Sequence, residues 1–377
     1  MSRVHVSLVG GQPSPVYVYI KNSLEQFDKI VLVCSEQTEA AARTMRRVIN
    51  ASCDRPDDFV SLRRLDPLDV KQVRAAVDQM SDEFKDDEVT VNVSGGTKLW
   101  SMLFYERFIG YSNAQVVLVD QNNNVWDMAS GQSHALPPLS LEDIMALEGI
   151  VINQKTELNE YTQEDLTCAK RISKMWRRNS QAFWDITRHI NDNPERLTHK
   201  SGDCSITRNP DGEGYHAQFV SRYSKQVNPY RQEYKLSSPH VERLLLNSGW
   251  FELLVADLLS RWQAAREVWV NCMINRQGDA NTLNEYDVIV SNGVKYLFVE
   301  CKTSIQSATD VDKFNNSKTY SGLAAKRIFI TFYKIKDQAK AKCDKANIPY
   351  FAYNDISRNE LDFFKKLDEI MKSTSTK

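Results

Sequence analysis

Short apolar runs and amphipathic segments alternate along the first third of the chain. Val4–Val9, Lys29–Cys34, Phe59–Leu65, Val89–Val93 and Gln115–Asp120 are β-rich, and helical patterns lie between them near Val16–Phe27, Glu36–Asn50, Leu68–Phe84 and Lys98–Ile109. This alternation predicts an α/β, doubly wound parallel sheet of Rossmann-like type. The fifth run continues as VVLVDQNNNVWDMA, whose Asn-rich turn predicts a sixth strand in an antiparallel edge hairpin.

The prolines of HALPPLSLED break the periodicity and set a boundary, giving domains at 1–137 and 159–377 with a linker at 138–158. From Ser140 to about Asn191 the pattern is helical and includes the basic stretch KRISKMWRRNSQAFWDITRHI. Residues Asn193–Lys235 are polar and turn-rich, fitting loops or a small β excursion whose role the sequence leaves open. A helix is expected over Pro239–Trp262, then a hairpin, a strand at Arg327–Phe332, a helix near Ile335–Ala346, a strand at Tyr350–Tyr353 and a last helix to about Met371, with a frayed tail STSTK.

Length and composition set the frame. A chain of 377 residues exceeds one ordinary core, and 42% hydrophobic with 26% charged residues is the make-up of a soluble globular protein. No apolar run approaches the roughly 18 residues of a membrane span, and the first residues lack a secretory layout. Seven cysteines without a CxxC pair read as reduced thiols in a cytoplasm. Net charge is −1, with acids in excess in residues 1–137 and bases in excess after them.

The hairpin NEYDVIVSNGVKYLFVECKTS places three charges against apolar runs. With Asn292-Gly293 as a two-residue turn, Asp287 opposes Phe298, and Asp287, Glu300 and Lys302 share a face. Glu300 would lie diagonally from Asp287, roughly 7–8 Å away between backbones. Two carboxylates in an apolar sheet repel each other and lose hydration, a cost that a divalent cation removes. Oxygen ligands, including the Cys301 carbonyl, suit Mn²⁺ or Mg²⁺ over zinc. Lys302 would orient a water or steady phosphate charge. The plainer reading is a Glu300–Lys302 ion pair on a strand surface. The second acid across the hairpin weighs against it.

The pattern Asp287…Glu300-Cys301-Lys302 resembles the core of restriction-type PD-(D/E)xK nucleases. That resemblance implies a further acid from a preceding helix, for which SGWFELLVADLL offers Glu252; a surface carboxylate is the alternative there. The implied catalytic set is Glu252, Asp287, Glu300 and Lys302, with metal held by Glu252, Asp287, Glu300 and Cys301.

Two loops follow strands and precede helices in the first domain, SLVGGQPSPV and VNVSGGTKLW. In the strand order 3-2-1-4-5 they flank the topological switch point, where ligands bind such sheets. Gly10, Gly11, Gln12, Pro13 and Ser14, with Ser94, Gly95, Gly96, Thr97 and Lys98, offer close backbone approach, helix N-terminal N–H groups and one cation for a phosphate. Neither the Walker A nor the GxGxxG spacing fits. Two Gly-rich turns with Thr97 as a helix cap are the simpler account.

The loop pair is similar to that of CARF domains, the Rossmann-fold sensors of cyclic oligoadenylate in CRISPR defence. A CARF domain ahead of a restriction-endonuclease-like α/β domain resembles the ring-nucleotide-activated nucleases of type III CRISPR systems. The resemblance implies a homodimer sharing one cyclic tetra-adenylate as activator. It also implies a metal-dependent endonuclease that cuts single-stranded RNA or DNA or nicks supercoiled duplex DNA. Ring size, the choice between RNA and DNA, base preference and self-degradation of the activator are not fixed by it. The rival reading is a ligand-responsive transcriptional regulator that binds DNA through the basic helical stretch without cleaving it. A metabolic nucleotide-binding α/β enzyme is a third, without fingerprint glycines or a plausible catalytic histidine.

Overall fold

The structure is a computed structural model that describes residues 1–66, 68–222, 230–279, 284–304, 308–316 and 324–373. Its first sheet holds β1 (Arg3–Leu8), β2 (Lys29–Cys34), β3 (Val60–Arg64), β4 (Glu88–Asn92), β5 (Ala114–Val119), β6 (Asn124–Asp127) and β7 (Ser133–Ala135), in the order β3-β2-β1-β4-β5-β6-β7. The first five run parallel and the last two antiparallel, so the expected doubly wound order and edge hairpin are both present. Each central strand is apolar on both sides because helices cover both. Ile30 and Leu32 face α1 (Ser14–Ser23) and α2 (Glu39–Ser52), while Val31 and Val33 face α3 (Val70–Glu83) and α4 (Lys98–Phe108).

Residues 138–158, read from the sequence as linker, carry α5 (Leu141–Leu147) and β8 (Ile150–Glu157). β8 also interrupts the stretch expected to be helical to Asn191. Ile150 and Ile152 turn inward on either side of exposed Val151, and polar residues follow, so the strand carries little apolar signal. Helices α6 (Gln163–Arg178) and α7 (Ser180–Asp192) follow. The turn-rich region then folds as an antiparallel sheet of β9 (Thr198–Ser201), β10 (Cys204–Arg208), β11 (Tyr215–Phe219) and β12 (Gln232–Leu236). The single helix expected over Pro239–Trp262 is two, α8 (Val241–Leu246) and α9 (Gly249–Ser260). Ser248, at φ 61° in the left-handed region, separates them.

The remaining elements are β13 (Glu267–Arg276), β14 (Asn284–Ser291), β15 (Tyr296–Lys302), α10 (Ala308–Asn316), β16 (Ala325–Thr331), α11 (Asp337–Ala346), β17 (Tyr350–Ala352), α12 (Tyr353–Ile356) and α13 (Glu360–Lys372). They build a mixed six-stranded sheet, β17-β16-β15-β14-β13-β8, antiparallel from β8 to β15 and parallel from β15 to β17. β13 lies where no strand was expected from the sequence. Of the tail STSTK only Ser373 lies within the described residues.

The joint between the two sheets is packed. Leu139, Leu141, Ile144 and Met145 share one core with α1 and α2 on one side and Trp269, Ile274 and Phe298 on the other. The Leu141 N–H donates to Glu267 Oε1 at 2.7 Å. Pro138 lies so close to the β14–β15 turn that a Cβ added to Gly293 would stand 2.7 Å from it.

Candidate functional site

The β14–β15 connection has four residues where two were expected. The Asn292 side-chain oxygen accepts N–H groups from Val294 and Lys295 at 3.1 and 2.8 Å, and this Asx turn widens the loop. The register is Ser291↔Tyr296, Ile289↔Phe298 and Val288↔Val299. It is shifted by two from the expected pairing, and an even shift preserves faces. Extending the ladder by one step sets Asp287 opposite Glu300, in place of Phe298.

Asp287 also marks a break in alternation. Val288 and Val270 enter the core beneath α9, whereas Tyr286 and Cys272 enter the core on the other side, where Tyr286 stacks on Phe298 at 3.9 Å. Asn271, between Val270 and Cys272, takes φ 53° and absorbs the reversal on β13. Asp287 is 9% exposed, and its Oδ2 accepts the Cys301 N–H at 2.6 Å. The uniform face drawn from the sequence therefore holds for Glu300 and Lys302, while Asp287 sits at a crossover.

Three acids meet near this point. Burial first, then the charges of Glu300 and Glu252, push the Asp287 carboxyl well above its usual range. Burial likewise lifts Glu252, the α9 residue, to about 7, with Arg243 opposing and Glu285 and Glu300 adding to the rise. Burial works against the Lys302 ammonium, but Asp287 and Glu300 outweigh it and hold the proton on. Lys302 Nζ stands 2.7 Å from Glu300 Oε1. Burial and the same acids raise the Cys301 thiol well above its usual value, and the Cys301 carbonyl is the candidate donor.

Arg243 was not anticipated. It lies 3.9 Å from Glu252 Oε2 and donates to Thr156 Oγ1 at 3.2 Å. Its sequence context, VERLLL, offers no motif, and only the fold of α8 against α9 brings it here.

The donor set is oxygen-rich and short of positive charge, which fits a hard divalent cation. Among the described residues, no three His, Cys, Asp or Glu side chains form a ready-made cage. Two carboxylates with a carbonyl and waters is the arrangement left, and Mg²⁺ sites commonly have that form.

At the other end, the two glycine loops touch. A Cβ on Gly95 would lie 2.0 Å from the Leu8 carbonyl oxygen, and one on Gly10 would lie 3.0 Å from the Gly96 nitrogen. Side chains there would force β1 and β4 apart at the switch point. A cavity of about 270 Å³ opens beside them, lined by Gly10, Gly11, Gly96 and Thr97 and by Ser35, Gln37 and Thr38 from the loop after β2. That third loop was missed, although the order 3-2-1-4-5 puts the end of β2 beside β1.

The expected donors divide. Lys98, Gly11 and Gln12 are exposed, and Pro13 and Ser14 are half-buried at the start of α1. Thr97 caps α4, accepting the Trp100 N–H at 3.2 Å. Ser94 is turned into the scaffold, where its hydroxyl donates to Asn92 and accepts the Val119 N–H at 2.6 Å.

Comparison with known proteins sets these two sites in context. Residues 4–143 match the family model described as the Card1 CARF domain. No curated protein matches the chain by sequence. Among solved structures, Can2 from Sulfobacillus thermosulfidooxidans, in complex with cyclic tetra-adenylate, is 16% identical with a TM-score of 0.63, over 98% of this chain and 100% of that one. Protein VC1899 from Vibrio cholerae is 12% identical with a TM-score of 0.69, over 98% and 99%. A type III CRISPR defence DNA nuclease activated by cyclic oligoadenylate is 15% identical with a TM-score of 0.53, over 95% of this chain and 52% of that one. At these identities the likeness is one of fold. Over residues 4–143 the chain is thus similar to the Card1 CARF domain, and a second α/β domain follows.

Proposed function

We propose that this protein is a nuclease of type III CRISPR defence, switched on by a cyclic oligoadenylate and dependent on Mn²⁺ or Mg²⁺. The observation that carries the reading is the meeting of Glu252, Asp287, Glu300 and Lys302 at the end of one hairpin, in a chain that begins with a CARF domain.

Asp287, Glu300 and the Cys301 carbonyl would hold the cation, with Glu252 beside them. When bound, the ion polarises a phosphate and a water. Glu252, buried beside them, would orient that water or take a proton from it. Lys302, released from Glu300, would steady charge on the phosphate.

Can2, of like fold over its whole length, was solved with cyclic tetra-adenylate, which makes that ring the first activator to try. The cavity at the glycine loops is small for such a ring, as suits one protomer's share of a site completed across a two-fold axis in a homodimer. The substrates proposed are single-stranded RNA or DNA and supercoiled duplex. No helix among the described residues is long and apolar enough to cross a membrane.

The test is cleavage of single-stranded RNA, single-stranded DNA and supercoiled plasmid with Mn²⁺, with and without cyclic tetra-adenylate, for wild type and Glu300→Ala. Ligand-dependent cutting that falls by about 10³-fold or more in the variant is expected. Ligand-dependent DNA binding with no cutting would favour the regulator instead.

A further inference from the structure

A basic groove lies on the second domain, between α6 and β12. Arg171, Lys174, Arg177 and Arg178 line one wall, and Gln232 and Lys235 belong to the other; the space is about 710 Å³. The spacing of the four cations puts them on one face of α6, while Cys168, Ile172, Met175 and Trp176 bury the opposite face. Like charges three and four residues apart repel, so this face opposes helix stability unless an anion lies against it.

Among its described lining residues the groove sets one carboxylate against five cations. That carboxylate, Glu233, is engaged by the neighbouring strand, 3.1 Å from Gln218 Nε2 and 3.6 Å from His216 Nε2. Among the described residues neither Lys174 nor Arg178 forms an ion pair. The walls are fixed by hydrogen bonds to backbone. Arg171 Nη1 donates to the Lys235 carbonyl at 2.6 Å, and the Arg222 N–H donates to the Arg178 carbonyl at 3.1 Å.

One end of the groove lies two contacts from the backbone of Lys302. The Arg177 guanidinium lies 5.1 Å over the Phe332 ring, and the Phe332 N–H donates to the Lys302 carbonyl at 3.0 Å. Tyr234, the aromatic in the lining, is buried, so the groove offers charge without a stacking surface for bases.

We propose that this groove holds the sugar-phosphate backbone of the nucleic-acid strand being delivered to Lys302 and the three acids, independently of base sequence. This rests on the nuclease reading above and adds where its substrate lies.

The test uses full-length protein in EDTA and a fluorescein-labelled 20-nucleotide single-stranded DNA, with the RNA of the same sequence in parallel. Anisotropy is read over a salt series, with and without cyclic tetra-adenylate. Lys174→Glu with Arg178→Glu should weaken binding at least 10-fold and flatten the slope of log K against log salt by about 1.4, near 0.7 for each single-strand phosphate that is no longer neutralised. Lys174→Arg with Arg178→Lys should keep both affinity and slope, which separates charge from misfolding, and thermal melts check the reversed-charge pair. Wild-type affinity and slope in that pair, or no binding of either strand by wild type, would overturn the groove. Cleavage separates the two readings. Binding that depends on the groove, with no cutting under any metal, sinks the nuclease and leaves the groove. Normal cutting with unchanged KM in the reversed-charge pair sinks the groove and leaves the nuclease.

Discussion

The Asp287 carboxylate accepts the Cys301 N–H across two strands, so a buried acid is tied to the backbone that offers the neighbouring carbonyl. Asp287→Asn keeps an acceptor and removes the charge. Cleavage should fall by about 10³-fold or more. Melting in EDTA at pH 8 should occur at the wild-type temperature or above it, because a carboxylate disfavoured by burial and like charges is gone. Calorimetry with saturating Mn²⁺ should raise the melting temperature of wild type and not of the variant.

Glu252 gives the metal-free protein a pH dependence of definite sign. Its carboxyl is raised from 4.5 to about 7 in the folded state, so the folded chain holds the proton longer than the unfolded one. That contribution is neutral below about 4.5 and becomes destabilising as pH climbs toward 7, on the order of 3 kcal/mol in all. Stability in EDTA should therefore fall over this window. Asp287, raised in the same direction, adds to the fall, so Glu252→Gln should remove part of it in urea melts run at pH 5 and pH 7.5.

The touching glycines predict a graded series. Gly95→Ala places a methyl against the Leu8 carbonyl and should destabilise the protein by about 1–3 kcal/mol while weakening cyclic oligoadenylate binding. Gly10→Ala meets its neighbour at 3.0 Å and should do less. Gly110→Ala, with nothing within 4 Å, should do neither. Thermal melts and calorimetric titration with cyclic tetra-adenylate check the order.

Lys98 is exposed at the first turn of α4, beside the cavity. Lys98→Ala should weaken activator binding about 10- to 100-fold, the worth of one charge-assisted hydrogen bond. Full cleavage should return at saturating activator. An unchanged activation midpoint would remove Lys98 from the site.

What the sequence made legible follows from what each feature depends on. The five parallel strands were readable because helices bury both their faces, leaving continuous apolar runs. The relation of Glu300 to Lys302 was readable because strand faces alternate with period two, and the two-residue error in the turn left that parity intact. β8 was hidden because an edge strand buries little and looks polar. Arg243 and the Ser35–Thr38 loop carry no local signal, since they join their sites only through the packing of α8 on α9 and of β2 beside β1. The reversal at Asp287 depends on Asn271 in a neighbouring strand that was itself passed over.

β8 has a consequence for dissecting the protein. It is the last strand of the second sheet, yet its sequence lies before the start expected for that domain. A fragment beginning at residue 159 would leave β13 as a bare edge of ten residues, with the N–H and C=O groups that β8 now satisfies unpaired. Trp269 and Ile274, now covered from the first domain and α5, would meet water beside that edge. A long apolar edge of this kind recruits strands from other molecules. Such a fragment should aggregate through β13, and one beginning at residue 139 should aggregate less because it keeps the strand that closes the sheet.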